Sequence, residues 1–311
     1  MSSSHHHQSV MLKESIEGLR IKESGIYVDA TFGRGGHTQA ILELLGPEGQ
    51  VIALDQDPSA IEYAKTHFND TRLRVIHTPF MRLSEVLTEL GLTGQIDGIL
   101  MDLGVSSPQL DNAERGFSFL QDGPLDMRMD TSSGISASQW LTQADAKEIA
   151  DVLYRFGEEK KSRQIAARIK QFQQETPLER TTQLANLISQ VVKGNPKKHP
   201  ATRSFQAIRI FINQELNQLS DVLTQTLEVL APKGRLSVIS FHSIEDRIVK
   251  QFIQKHSRHK PIPKGLPIAD TELTQMPLRD LGRVFASKDE IAHNVRSRSA
   301  ILRVAERHET A

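Results

Sequence analysis

The chain has 311 residues, 38% of them hydrophobic, with 38 Lys and Arg balancing 38 Asp and Glu. That length suits one large domain or two ordinary ones, and zero net charge selects no partner. The absence of cysteine removes disulfides, thiolate zinc sites and any cysteine nucleophile. No apolar run reaches membrane-spanning length and no secretory signal is visible, so no membrane partner and a cytoplasmic location are expected.

Residues 7–20 read as a lead-in and an amphipathic helix, and GIYVDA (25–30) as the first strand. A glycine turn with Gly33, Gly35 and Gly36 leads into a helix opening near His37 and running over TQAILELLG (38–46). QVIALD (50–55) is the second strand, and Asp57-Pro58 caps the next helix. RLRVIHTPF (72–80) gives the third strand, followed by a helix over 82–90. GILMDL, inside 94–110, is continuous in apolar residues, as a strand buried on both faces requires. Alternating strands and helices predict a parallel sheet covered on both sides.

From about 109 to 212 no strand is predicted. The stretch 109–134 is loop-like and carries five acids and two Arg over 109–130. Helices are expected over SASQWLTQADAKEIADVLYRFG, EEKKSRQIAARIKQFQQE, TTQLANLISQVV and the end of NPKKHPATRSFQAIRIFINQEL. The sheet resumes with the helix DVLTQTLEVL and a fifth strand in LAPKGRLSVISFHS (230–243), preceded by a PKG turn. HSIEDRIVKQFIQKH is a helix with Glu245 and Asp246 in its first turn. Residues 257–282 are proline-rich and expected to be irregular, and GRVFASKDEI and RSRSAILRVAE give the last two strands. Residues 191–214 hold five Lys/Arg and no acid, and 247–264 six and no acid, two blocks suited to a polyanion.

Ligands of such sheets bind at the carboxyl ends of the strands. Those ends carry Asp29, Asp55, Phe80, Asp102 and His242. Asp55 lies where an acid holds a ribose, and Phe80 can cover an adenine. A dinucleotide is disfavoured, because Thr38 stands where the fingerprint needs Gly or Ala and Asp29 would repel a pyrophosphate. A sulfonium and an ammonium suit Asp29 better, which points to S-adenosylmethionine. In DLGVSSPQ (102–109), Asp102, Ser106 and Ser107 form the candidate reacting edge. Acceptors there can hold an exocyclic amine and localise its lone pair. A cytosine carbon would need a cysteine nucleophile, so a nitrogen or oxygen acceptor is favoured. No metal constellation is present, and the His256/His259 pair reads as basic surface. Phe117 and Phe119 could stack a base, with core packing the alternative.

DATFGRGGHT (29–38), DGILMDLGVSSPQLDNAERGFSF (97–119), DGPLDMRMD (122–130), KHPATRSFQAIRI (198–210), SFHSIEDRIVK (240–250) and RSRSAILRVAER (296–307) resemble the bacterial ribosomal RNA small-subunit methyltransferase H family over essentially the whole chain. The resemblance implies an α/β fold, with a class I (Rossmann-like) methyltransferase sheet domain (1–108 and 213–311) and an inserted all-helical domain (109–212) for RNA recognition. It implies methylation of a cytidine N4 amine in the decoding region of 16S ribosomal RNA. Carried over by position, cofactor contacts fall on Gly35, Gly36, His37, Asp55, Phe80, Asp102 and Gln109, with Asp29 and Gly33 in support. Lys197, Lys198, Arg203, Arg209 and Arg247 are the candidate phosphate contacts. The expected partner is small-subunit ribosomal RNA in an assembled or assembling subunit; a homodimer stays open. Two rivals remain from the residues: a small-molecule or protein methyltransferase, and a cofactor-binding assembly factor without turnover.

Overall fold

The computed structural model describes residues 9–193, 199–259 and 275–309. The chain divides into two compact units, one made of residues 1–104 and 216–311 and the other of 105–215.

The first unit is a seven-stranded sheet of order β3-β2-β1-β4-β5-β7-β6. Its strands are β1 (Ile26–Asp29), β2 (Gln50–Asp55), β3 (Leu73–His77), β4 (Ile96–Asp102), β5 (Leu230–Ser240), β6 (Leu278–Phe285) and β7 (Ile301–Arg307). Around them run α1 (Leu12–Leu19), α2 (Gly36–Leu44), α3 (Pro58–His67), α4 (Leu83–Glu89), α11 (Glu215–Val229), α12 (Ser243–Ser257) and α13 (Lys288–His293). Period-two alternation inside the apolar runs divides the core between the two faces. Val28, Ile52, Ile99 and Val238 pack with Leu87, Leu223 and Phe252. Their neighbours Tyr27, Val51 and Leu100 pack with Leu19, Ile41 and Leu42 from α1 and α2. Each such side chain contributes roughly 1.5–3 kcal/mol over leaving it in water. The order reverses between β1 and β4, which opens a crevice at their carboxyl ends.

The parallel pairing expected of the first four strands is present and extends to β5, while β7 is antiparallel to both β5 and β6, so the sheet is mixed. Other expectations change. The PKG turn lies within the span of β5, where the register against β4 jumps from Ile96–Leu230 to Gly98–Arg235. β6 starts at Leu278, inside the stretch expected to be irregular. SKDEI is the start of α13 rather than strand, because the Ser287 hydroxyl accepts the Glu290 amide at 3.1 Å and caps a helix.

The second unit is helical: α5 (Ser107–Asp111), α6 (Ala137–Gln143), α7 (Ala146–Gly157), α8 (Ser162–Phe172), α9 (Thr181–Val191) and α10 (Thr202–Ile212). Among its described residues the β pairing is a single bridge, Pro124 to Arg180. The helix expected over 136–157 is two helices, because Asp145 accepts the Glu148 amide at 2.8 Å and starts α7 afresh. Trp140, Leu153, Ile165, Leu184 and Ile208 form its core. Asn213 fastens the acidic loop: its Nδ2 donates to Met127 O at 2.8 Å and its Oδ1 accepts from Met129 N at 2.7 Å.

Candidate active site

Three carboxylates end adjacent strands of the sheet unit. Asp29 closes β1, Asp55 closes β2 and Asp102 closes β4. Asp29 is buried; it accepts from Thr31 N at 3.1 Å and Thr38 Oγ1 at 2.7 Å. Burial pushes its pKa up, and those hydrogen bonds offset part of the rise. Asp55 accepts from Gly33 N at 2.7 Å and Asp57 N at 2.8 Å. Burial raises its pKa to about 6. A carboxylate has about four lone-pair positions, so each Asp55 oxygen keeps one for a further donor.

Asp102 is the most exceptional of the three. Its own amide is held by Thr31 Oγ1 at 2.7 Å, yet its Oδ1 is buried with no hydrogen-bond partner. Its pKa stands well above the carboxylate range, chiefly from burial and then from the charges of Asp29 and Glu245. Among the described residues no Lys or Arg lies within 4.0 Å of any of the three; the nearest counter-group is His37, whose Nδ1 is 3.8 Å from Asp102 Oδ2. A buried acceptor without a donor costs about 1–3 kcal/mol. A cluster of this kind fits a ligand bringing positive charge and N–H or O–H donors.

The glycine turn positions these groups. Gly33 and Gly35 have φ of 55° and 73°, the left-handed region where glycine carries no steric penalty. At Gly35 a Cβ would also overlap the Phe68 ring and stand 2.8 Å from Phe32. Packing inside the unit therefore demands Gly35. At Gly36 a Cβ would overlap Ser9 Oγ. His37 is buried in the first turn of α2, and its Nε2 is 3.2 Å from the Val10 carbonyl. A carbonyl only accepts, so Nε2 carries the proton. Phe80 opens a 3-10 turn after β3 and is half-buried against the core.

His242 follows β5 and caps α12: its Nδ1 accepts the Glu245 amide at 3.4 Å. Its Nε2 stands 3.0 Å from Glu245 Oε1, out of hydrogen-bond alignment. The Nδ1 lone pair of this candidate catalytic residue is thus turned to the start of the helix. Glu245 is the residue missed from the sequence. It is buried, its Oε2 accepts from Phe241 N at 2.9 Å, and its charge reaches Asp102. Its place three residues after a capping position was the available signal.

In the helical unit, Ser106 starts α5, and its amide donates to Gln109 Oε1 at 2.9 Å, with Gln109 buried. Ser107 is buried and its hydroxyl has no hydrogen-bond partner. Phe117 is buried, and Phe119 packs on His199 (ring centroids 4.4 Å) and Phe205 (4.9 Å), so both rings belong to the core. Arg203 is exposed and donates to Glu158 O at 3.3 Å. Arg209 departs from its expected role: Nε and Nη2 each donate to the Glu215 carboxylate at 2.8 Å, and the pair is largely buried. That guanidinium is committed to an internal ion pair instead of a phosphate. Lys197 and Lys198 lie outside the described residues. In the sheet unit, Arg247 is exposed on α12. Among the described residues no cluster of His, Cys, Asp and Glu could hold a metal ion.

Comparison with known proteins points to a family of methylases. The model of the MraW methylase family matches residues 4–308. A protein of Ruthia magnifica subsp. Calyptogena magnifica, named ribosomal RNA small subunit methyltransferase H, is 62% identical over 303 residues, covering 97% of this chain and 99% of that one. A Shewanella oneidensis protein of the same name is 53% identical over 310 residues, covering 99% of each. The chain belongs to the MraW methylase family, and its cofactor is S-adenosylmethionine.

Proposed function

We propose that the chain methylates the exocyclic N4 amine of a cytidine in the decoding region of small-subunit ribosomal RNA. The observation that carries the reading is the buried, partnerless Asp102 Oδ1 inside a trio of carboxylates with no Lys or Arg beside them among the described residues. The names of the relatives supply the class of RNA, and the motif resemblance supplies the base and its region.

When bound, the cofactor supplies an electrophilic methyl on a sulfonium. The residues suited to hold it are Asp29, Asp102 and His37 at the β1–β4 switch, with Gly33, Gly35 and Gly36 shaping the turn between them. Asp55 has lone pairs for the ribose hydroxyls, and Phe80 offers an aromatic face. Gln109 enters on the resemblance. A carboxylate at Asp102 can accept an N–H of the amine, keeping its lone pair off the ring and pointed at the methyl. Ser106 and Ser107 are the further candidates for that edge. Residues 109–212 would recognise the RNA, within an assembled or assembling subunit in the cytoplasm. No helix among the described residues is long and apolar enough to cross a membrane.

The test is transfer of labelled methyl from S-adenosylmethionine to naked small-subunit RNA, assembled small subunits and bulk transfer RNA. Label in one ribosomal substrate alone supports the reading and identifies the assembly stage. Label only in transfer RNA, or in none, contradicts it.

A further inference from the structure

We propose that the α7–α8 turn, the end of α9 and the start of α10 together form a face that takes the phosphodiester backbone of an RNA. This rests on the ribosomal-RNA reading above and names the surface that would grip that substrate.

The sequence signal is a third acid-free stretch: residues 160–174 hold five Lys/Arg and no Asp or Glu. The fold brings this stretch beside two others. Lys161 Nζ donates to the Val191 carbonyl at the end of α9 at 2.7 Å, which places Lys193 close by. Arg203, in the first turn of α10, reaches the Glu158 carbonyl at 3.3 Å. Arg168 donates from Nε to Gln190 Oε1 at 3.0 Å and from Nη1 to Gln171 Oε1 at 3.1 Å. Lys160, Arg163 and Lys193 are exposed.

The partners of these six cations decide what the face is for. The hydrogen bonds of Lys161, Arg168 and Arg203 go to neutral oxygens, and among the described residues none of the six has a carboxylate within 4.0 Å. Elsewhere in the same unit Arg128, Arg180 and Arg209 are each neutralised by Asp126, Asp122 and Glu215. Glu159, the acid that could have balanced the turn, is buried and spends an oxygen on the Lys161 amide at 2.9 Å. Glu158 is the exposed acid of the turn. Six uncompensated charges gathered on one face repel one another, and a chain of phosphates relieves that while releasing counterions. A small anion would use one or two of them; a polyanion uses the set.

The experiment uses the full chain with Lys160→Gln, Arg163→Gln and Lys193→Gln combined, all exposed positions outside the cofactor site. Affinity for small-subunit RNA is measured across a salt series, with methyl-transfer kinetics and cofactor affinity alongside. The slope of log K against log salt should fall by about two units, since each phosphate contact contributes about 0.7–0.9. KM for RNA should rise at least tenfold while kcat and cofactor affinity stay unchanged. A control carries Arg20→Gln, Arg74→Gln and Arg279→Gln, the same charge change on the sheet unit. A wild-type slope in the first variant, or an equal loss in the control, overturns the proposal and leaves the ribosomal reading standing. If the wild-type chain itself binds no small-subunit RNA, both fall.

Discussion

The Gly33 amide donates to the Asp55 carboxylate at 2.7 Å across twenty-two positions of sequence, tying the turn after β1 to the end of β2. One residue thus holds the shape of the glycine turn and presents the acceptors for a ribose. Asp55→Asn keeps one acceptor oxygen but aims an NH2 at a backbone N–H. Cofactor affinity should fall roughly 10- to 100-fold, or about 1.4–2.8 kcal/mol, as one or two hydrogen bonds are lost. Calorimetric titration with S-adenosylhomocysteine checks this, and unchanged affinity would remove Asp55 from the site.

The same carboxylate sets a pH dependence. Its pKa is raised to about 6, so the ligand-free native state holds this proton more tightly than the unfolded chain does. The ligand-free protein should therefore lose stability as the pH rises from about 4 through 6, with Asp29 and Asp102 acting in the same direction. Cofactor affinity should do the opposite, weakening as the pH falls through about 6 and the acceptor is protonated. Melting curves with and without S-adenosylhomocysteine between pH 5 and 8 should diverge upward. Parallel curves would show that Asp55 does not meet the ligand.

Asp102→Ala removes a carboxyl that the native state strains to hold beside Asp29 and Glu245. The variant should fold with a midpoint no lower than that of the wild type, while methyl transfer drops at least a hundredfold, about 2.7 kcal/mol of barrier. Full activity in this variant would take Asp102 out of the mechanism.

Gly35→Ala should be among the most destabilising single changes in the turn. It places a Cβ at φ 73° and against the Phe68 ring. A loss of about 2–4 kcal/mol is expected in urea unfolding. Adding Phe68→Ala should recover the overlap but not the backbone strain, so the two changes should be non-additive.

In the helical unit, Arg209→Ala should cost about 3 kcal/mol, because it removes the guanidinium that pairs with the largely buried Glu215 carboxylate. Arg209→Met with Glu215→Leu should cost less than the single change. The salt slope of RNA binding should be that of the wild type; a reduced slope would return Arg209 to the phosphate contacts.

The parts legible in the sequence were those fixed locally. β1, β2 and β4 are apolar runs ending in Asp29, Asp55 and Asp102, and Asp57-Pro58 marks the start of α3 with a side chain that accepts Ser59 N at 2.9 Å. What escaped depended on pairings that no residue pattern announces, some far along the chain and some only a few residues away. An apolar run does not say whether its neighbour is parallel, so the reversal at β7 was not visible. Asp145 lies within an unbroken helical periodicity, and its capping of α7 shows only in the fold. The isolation of Asp102 arises where Glu245, from α12, is brought beside the end of β4. The commitment of Arg209 to Glu215 hides in a block that reads as uniformly basic.

The most direct test of the account is the identity of the methylated nucleoside. Small-subunit RNA lacking the modification is incubated with the protein and S-adenosylmethionine, digested to nucleosides and resolved by mass spectrometry. N4-methylcytidine at a single decoding-region position is expected, absent with Asp102→Ala. A methyl group on a ring carbon, a ribose or another base would contradict it.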